Sequence, residues 1–227
     1  MKNNSYSISE NDVCQLAIKR HCCWAKDIAL LNKVVKQVLA EIDEARGVES
    51  KDIEKQLEHD AEKIKVVWVL SGAGTFSIPL TDTPGDQIYS GKAWAYYSDR
   101  DRIKYAVELI GHISRIVASR SNDKELSGID LIEQYGPCLI YNGIEEQNQA
   151  IIKAIKKGKL VFPQSKLYIS QGRVTRTLDQ VKNLNFPDDE YRAGDILAII
   201  THSAHYPRVL RMFNKYKKIP NNLSVRI

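Results

Sequence analysis

"KVVWVLSGAG", residues 65–74, is the stretch that decides the predicted fold. The run from Val66 to Leu70 is apolar without interruption, which is typical of a strand buried on both faces. The small residues that follow, from Ser71 to Gly74, favour a tight turn. We therefore predict that a parallel sheet begins here.

Similar short apolar runs occur at CLIYNG (138–143), KLYI (166–169) and DILAIIT (195–201), and LSVRI (223–227) is a candidate edge strand. Helices are predicted between or after these runs, at residues 101–117, 144–155, 177–184 and 205–216. This alternation predicts an α/β fold, a Rossmann-like three-layer sandwich with a mostly parallel sheet.

Residues 1–64 are predicted to form an N-terminal helical extension to the α/β domain of residues 65–227. Ser9 and Asp12 have capping-box spacing, and apolar residues then recur at three- and four-residue steps from residue 13 to 42. This pattern indicates one long helix or two shorter ones. A more charged helix is predicted at residues 50–64, and the extension is a candidate interface for a partner chain or a homo-oligomer.

Residues 75–101 read as a long polar and aromatic connection, which exceeds the usual length of a strand-to-helix loop. Two interpretations are open. The segment is either a lid over a binding site or a surface excursion anchored by Trp94, Tyr96 and Tyr97 in the core.

The net charge of +5 results from 33 basic and 28 acidic residues, so most charges can be balanced locally. This balance does not favour a nucleic-acid partner, and we interpret the basic residues from 208 to 218 as a solvated helix face. No segment approaches the roughly 18 apolar residues of a membrane span, and the first residues lack the apolar core of a signal peptide. We predict a cytoplasmic protein with no membrane span.

The four cysteines form no CxxC pair, and the neighbouring Cys22 and Cys23 cannot bridge to each other without strain. We expect buried free thiols.

Polar residues follow every predicted strand. Ligands of parallel sheets bind at the carboxyl ends of the strands, where loops converge and helix amino termini offer unpaired N–H groups. The candidate site residues at these ends are Ser71, Gly72 and Gly74, then Asn142, Gly143 and Glu146, then Thr177, Asp179 and Gln180, and finally His205 and Arg208.

The glycines after the first strand would let a phosphate, ribose or carboxylate approach the backbone, although for the stretch taken alone a simple turn is the better explanation. The stretch matches neither GxGxxG nor GxxxxGK[ST]. Thr177 is placed to cap a helix and Asp179 to complement its dipole, so this cluster also has a purely structural explanation.

His205 and Arg208 are three residues apart, which on a helix puts them on one face. The histidine could serve as a general acid or base, and the guanidinium suits phosphate or carboxylate, but ordinary capping is the alternative. No HExxH-type spacing supports a metal site around His202 and His205, and Ser203 lacks the GxSxG elbow of a nucleophile.

In their order along residues 65–213, these motifs resemble the YdcF/SanA/ElyC-like family of bacterial proteins, whose function is largely undefined. The resemblance is carried by VWVLSGAG, DRI (101–103), LIYNG with acidic residues after it, TLDQ and THSAHYPR. The chain departs from the family at Asp179-Gln180, where Glu-Asn is usual, at Asn142, where Ser is usual, and at His202, where a smaller residue is usual.

The resemblance implies a Rossmann-like fold with a pocket at the strand ends, formed by Gly72, Arg102, Asn142, Gly143, Glu146, Thr177, Asp179, Gln180, His205 and Arg208. One cytosolic member binds S-adenosylmethionine, and others are linked to envelope polysaccharide or peptidoglycan pathways.

Three functional hypotheses follow. The leading one is a cytosolic small-molecule-binding protein for a nucleotide-like or S-adenosylmethionine-like ligand, with Arg208 at its anionic part and Asp179 or Glu146 at its ribose or amine. The second is a transferase or hydrolase for a phosphorylated or glycosyl substrate of the envelope-precursor type. Its catalytic residues would be His205 as acid or base, Arg208 with Arg102, and Asp179 as the orienting carboxylate. The third is a non-catalytic scaffold that binds a partner through its N-terminal helices.

Overall fold

A computed structural model of the chain describes residues 9–20, 26–46, 50–72, 91–121, 123, 125–170, 174, 176–187, 191–201, 205–216, 220 and 222–226. For residues 20, 44–46, 50–53, 91–98, 146 and 226 the description covers the backbone alone. Gly74, His202, Ser203, Cys22 and Cys23 lie outside the described residues.

In the described part of the chain, five strands form one sheet: β1 (Ile64–Val69), β2 (Cys138–Tyr141), β3 (Leu167–Ile169), β4 (Asp195–Ile200) and β5 (Leu223–Arg226). Their order is β3-β2-β1-β4-β5, and every neighbouring pair is parallel. All the predicted strands are confirmed, and β5 occupies an edge of the sheet as expected.

Eight helices accompany the strands in the described ranges. They are α1 (Glu10–Arg20), α2 (Ile28–Arg46), α3 (Ser50–Asp60), α4 (Gly91–Arg120), α5 (Gly128–Tyr135), α6 (Glu145–Lys156), α7 (Thr177–Lys182) and α8 (Tyr206–Tyr216), with a short 3₁₀ turn at Gln164–Lys166. The α/β three-layer, Rossmann-like architecture is confirmed, with the helical extension formed by α1 to α3.

Alternate residues of β1 face opposite layers. Val67 packs in a core with Ile110 of α4, whereas Trp68 packs in a second core with Val209 and Phe213 of α8. Val67 and Trp68 are both fully buried, because helices cover both faces of the sheet. This double burial explains the unbroken apolar run in the sequence.

Helix α4 begins at Gly91, ten residues earlier than the predicted start at residue 101. The prediction that residues 75–101 are one long connection is therefore wrong for its last part. Polar and aromatic residues mask the helical pattern at the start of α4, because its apolar face becomes regular only after residue 102. Helix α5 was not predicted either, since it is short and buries only Leu131 and Ile132.

The helical extension is attached to the α/β core at two places. Ala61, just after α3, and Leu57 within it belong to the same apolar cluster as β1. Helix α2 meets α8, where the Arg211 Nη2 atom lies 2.7 Å from Glu41 Oε1. The extension is thus packed on the sheet layers and does not stand apart from them.

The amino-terminal pair has the predicted capping-box geometry. Ser9 N–H donates to the Asp12 carboxylate at 3.2 Å, and Asp12 N–H donates to Ser9 Oγ at 3.2 Å. Of the predicted thiols, Cys14 is free and buried, and Cys138 is free and half-buried. Within the described ranges, no helix has the length and apolar character that crossing a bilayer requires.

Candidate functional site

A crevice is expected between the carboxyl ends of β1 and β4. Strand β1 leads to α4 on one face of the sheet, whereas its neighbour β4 leads to α8 on the other face. In open parallel sheets, ligands bind where the chain leaves neighbouring strands in opposite directions. Ser71, Gly72 and Thr201 lie at this point.

A cluster of buried amides, which we call the polar floor, adjoins Ser71 at the end of β1. The Asn142 side chain accepts from Trp68 Nε1 at 2.8 Å and donates to the Gln180 carbonyl at 2.8 Å. Gln180 Nε2 in turn donates to the Ser71 carbonyl at 3.0 Å and to Ser71 Oγ at 2.8 Å. The ends of β1 and β2 are therefore joined to α7 through side chains that are almost completely buried.

Asp99, on α4, is the centre of a second network. Its Oδ1 accepts from Gly72 N–H at 2.7 Å and from the Arg102 guanidinium, while its Oδ2 accepts from Tyr141 Oη at 2.7 Å and from Gln147 Nε2 at 3.1 Å. Asp99 is only 2 % exposed, so the carboxylate depends on these donors in place of water. It ties α4 to the loops after β1 and β2.

The electrostatics of this network follow from its burial. Burial raises the pKa of the Asp99 carboxyl above its ordinary value of 3.8, and the Tyr141 hydrogen bond and the Arg102 charge oppose that rise. Burial and the neighbouring Asp99 charge also raise the pKa of Tyr141. The tyrosine therefore remains a protonated donor to Asp99.

The loop after β2 is held by the first turn of α6. Asn148 accepts from Gly143 N–H at 2.9 Å and donates back to the Gly143 carbonyl at 3.1 Å. Gln147 Oε1 accepts from Ile144 N–H at 2.9 Å. The Gly143 N–H is therefore already hydrogen-bonded within the protein and is not available to a ligand.

Three polar atoms near the strand ends are shielded from solvent and have no hydrogen-bond partner among the described residues. They are Gln180 Oε1, Thr201 Oγ1 and Arg102 Nε. Buried polar atoms in folded proteins almost always have a partner, so these three call for an explanation. Together they offer an acceptor, a hydroxyl and a charged donor.

The structure brings five of the predicted residues into the two networks: Ser71, Gly72, Arg102, Asn142 and Gln180. Arg102 pairs with Asp99 rather than with the neighbouring Asp101 of the DRI motif, because a spacing of three brings side chains together on a helix. The Glu146 side chain lies outside the described residues.

The α7 cluster has a capping role. Helix α7 starts at Thr177 with Arg176 as its cap residue, so the prediction that Thr177 itself caps the helix is wrong. Asp179 instead satisfies the first turn, since its carboxylate accepts from Arg176 N–H at 3.0 Å. The same carboxylate lies 3.4 Å from the Arg176 guanidinium.

His205 is half-buried and lies one residue before α8, and Arg208 is exposed on that helix. Both therefore follow β4 on the side of the crevice where the chain enters α8. Within the described residues, no three His, Cys, Asp or Glu side chains form a group suited to a metal ion.

Sequence reasoning missed Asp99, Tyr141, Gln147 and Asn148. The available signal for Asp99 was its spacing of three from Arg102, which becomes meaningful only once the helix is known to extend back to Gly91. For Gln147 and Asn148 the signal was their place in the first turn of a helix that follows a strand.

Comparison of the chain with protein-family models, curated protein sequences and solved structures finds no match.

Proposed function

We propose that the protein binds a small polar molecule of the nucleotide or S-adenosylmethionine class in the crevice between the carboxyl ends of β1 and β4. The observation that carries the proposal is that three atoms of residues adjoining the ends of β1 and β4 are shielded from solvent and have no hydrogen-bond partner among the described residues: Gln180 Oε1, Thr201 Oγ1 and Arg102 Nε. A buried polar atom without a partner costs about 1 to 3 kcal/mol. A ligand that supplied the missing partners would recover this cost.

The chemistry of the three atoms fits a ligand with both an amine or hydroxyl donor and an anionic group. Gln180 Oε1 can only accept, which suits an exocyclic amine or a ribose hydroxyl. Arg102 Nε can only donate, which suits a carboxylate or phosphate oxygen. The Thr201 hydroxyl can do either.

The polar floor supports this assignment because its side chains are held in place. The Asn142 amide is bonded to Trp68 and to the Gln180 carbonyl, and the Gln180 amide nitrogen is bonded to Ser71. A site whose lining is already held by its neighbours loses little conformational entropy when a ligand binds.

Nucleotides and S-adenosylmethionine are metabolites of the cytosol, so the proposal also places the protein in the cytoplasm. The thiols of Cys14 and Cys138, which are free, agree with a reducing compartment.

The test is a thermal-unfolding series on the full chain with S-adenosylmethionine, adenine and guanine nucleotides, and sugar nucleotides. A ligand at about 100 times its Kd stabilises the folded state by about 2.7 kcal/mol. The informative variant is Thr201→Val, which removes the hydroxyl and keeps the shape. It should weaken binding about 2- to 10-fold, the value of one hydrogen bond.

Ser119→Ala is the control, because it also removes one hydroxyl but lies in the last turn of α4, where Ser119 Oγ donates to the Ile116 carbonyl. Its affinity for the stabilising ligand should equal that of the unmodified chain. The proposal fails if no compound in the series stabilises the protein, or if Thr201→Val and Arg102→Lys both bind with unchanged affinity.

A further inference from the structure

A cavity of about 310 Å³ opens in the groove between α4 and α6. It lies on the α4 side of the sheet, and neither Ser71, Thr201 nor Gln180 lines it. Its volume is at the lower end of the range of small-molecule sites, about 300 to 1,000 Å³. The cavity adjoins the crevice at Asp99, whose carboxylate accepts from Gly72 N–H and Arg102, but none of the three residues that carry the crevice proposal lines the cavity.

The walls of this cavity are apolar. Ile103 of α4, Ile151 of α6 and Leu160 line it, and all three belong to or pack against the same apolar cluster. Ala150 and Ala154 also line it, and their small side chains leave the space between the two helices unfilled. A groove of this kind gains free energy when an apolar group displaces its water.

The rim of the cavity is cationic. Arg100, Lys104 and Lys159 line it, and all three are exposed residues. Among the described residues that line the cavity, Asp99 is the one acidic side chain, and its two oxygens are already engaged by the four donors of its own network. The three cations are therefore not neutralised by a carboxylate of the cavity.

The polar side chains that line the cavity have few hydrogen-bonding atoms left for a ligand. The Tyr141 hydroxyl and the Gln147 amide nitrogen both donate to Asp99. Gln147 Oε1 accepts from Ile144 N–H. A ligand of this cavity would therefore contact an apolar interior and a positively charged mouth.

We propose that this cavity binds a compact amphipathic anion, a molecule with an acyl-like apolar body and one carboxylate or phosphate end. The apolar body lies between Ile103 and Ile151, and the anionic end lies at the mouth between Arg100, Lys104 and Lys159. Carboxylate and phosphate share the chemistry that this rim recognises.

The first experiment is calorimetric titration of the full chain with octanoate, octyl phosphate, octanol and inorganic phosphate, each below its micellar concentration. We expect at least one of the two octyl anions to bind with one-to-one stoichiometry, and the better of them identifies the head group. Octanol and inorganic phosphate should each bind at least about tenfold more weakly, since each lacks one half of the recognition. Absence of binding by both octyl anions overturns the proposal, as does equal binding of octanol.

The second experiment tests the place of binding. The variant Arg100→Gln/Lys104→Gln/Lys159→Gln removes the cationic rim. Its matched control is Arg115→Gln/Lys153→Gln/Lys156→Gln. This variant also removes three positive charges from α4 and α6, but from exposed positions that do not line the cavity. Exposed ion pairs contribute a few tenths of a kcal/mol each, so the rim variant should lose about tenfold in affinity and the control should lose little.

Equal losses in the two variants would show general charge attraction and would overturn the assignment to this cavity. Both variants change exposed side chains only, so both should retain the folded state, which thermal unfolding verifies. The outcome is independent of the crevice, because a crevice ligand should bind the rim variant normally while Thr201→Val should bind the octyl anion normally.

Discussion

Gly143, in the loop after β2, lies where neighbouring side chains leave no room for a Cβ atom. An added Cβ would lie 2.7 Å from Gln147 Oε1, 2.8 Å from Gln147 Cβ and 2.9 Å from the Tyr141 ring. These contacts are too short to persist, and the Gln147 Cβ and the ring belong to buried, fixed side chains. We predict that Gly143→Ala destabilises the protein by about 1 to 3 kcal/mol, the usual cost of overpacking.

Gly111→Ala is the matched control for this prediction. Gly111 lies within α4, and a Cβ built there has no atom within 4 Å. Alanine in a helix interior is favoured over glycine by about 0.5 to 1 kcal/mol, so this variant should be more stable than the unmodified chain. Urea unfolding of the two variants should give changes of opposite sign, and changes of the same sign would contradict the explanation.

Asn142 serves two buried partners at once, the Trp68 indole and the Gln180 carbonyl. Replacing it by alanine would leave both partners buried without a hydrogen bond. We predict that Asn142→Ala costs about 2 to 4 kcal/mol in the free energy of unfolding. Asn214→Ala, at an exposed position of α8, should change it by no more than about 0.5 kcal/mol, and a similar loss in both variants would argue against the network.

The raised pKa of Asp99 predicts how stability depends on pH. Between 3.8 and its own higher pKa, the folded carboxyl holds a proton that the unfolded chain has released. The stability that Asp99 contributes is therefore full below 3.8 and is lost as pH rises through the folded pKa. The amide introduced by Asp99→Asn does not titrate, so the deficit of this variant should be largest in acid and should shrink toward neutral pH.

Urea unfolding of the unmodified chain and of Asp99→Asn, at several values between about pH 3 and pH 8, measures this deficit. A deficit that grew with rising pH would mean that the Arg102 charge outweighs burial and lowers the pKa of Asp99.

Among the elements, α1 and α2 are joined by a small apolar cluster. Its buried members are Cys14, Leu31 and Val35. Leu31 is 2 % exposed whereas its neighbour Leu30 is 48 % exposed, which provides a matched pair of substitutions on one helix. We predict that Leu31→Ala costs about 2 to 3 kcal/mol and that Leu30→Ala changes stability by no more than about 0.5 kcal/mol. Equal effects of the two substitutions in thermal unfolding would mean that this cluster does not contribute to stability.

The elements also show which features the sequence could predict. Strands β1 and β4 were predictable because burial on both faces requires continuous apolar runs, and Ser71, Asn142 and Gln180 were predictable as residues at strand ends. The role of Asp99 was not. It depends on the length of α4 and on the alternation along β2 that turns Tyr141 toward α4, and neither is encoded by a local motif.

At the scale of the whole molecule, the helical extension and the α/β domain share one apolar core. Leu57 and Ala61 pack in the same cluster as β1, although they precede the α/β strands. We predict that a chain shortened to residues 50–227 unfolds cooperatively, with lowered stability because the partner of α8 is gone. A chain shortened to residues 65–227 should lose cooperative unfolding, because it lacks Leu57, Ala61 and Ile64 of the core.

Circular dichroism with urea distinguishes the two shortened chains. Cooperative unfolding of residues 65–227 at the same urea midpoint as residues 50–227 would mean that α3 is dispensable for the core.

The strand order also governs when the chain can fold during synthesis. β1 is the central strand, yet one of its two neighbours, β4, pairs through partners as distant as Val67 and Ala198. Until β4 has left the ribosome, one edge of β1 has no neighbouring strand, and the Trp68 side of its surface lacks α8, which is made later still. Contacts this distant in sequence form slowly. The nascent chain therefore presents one unpaired edge of an apolar strand until β4 has been made.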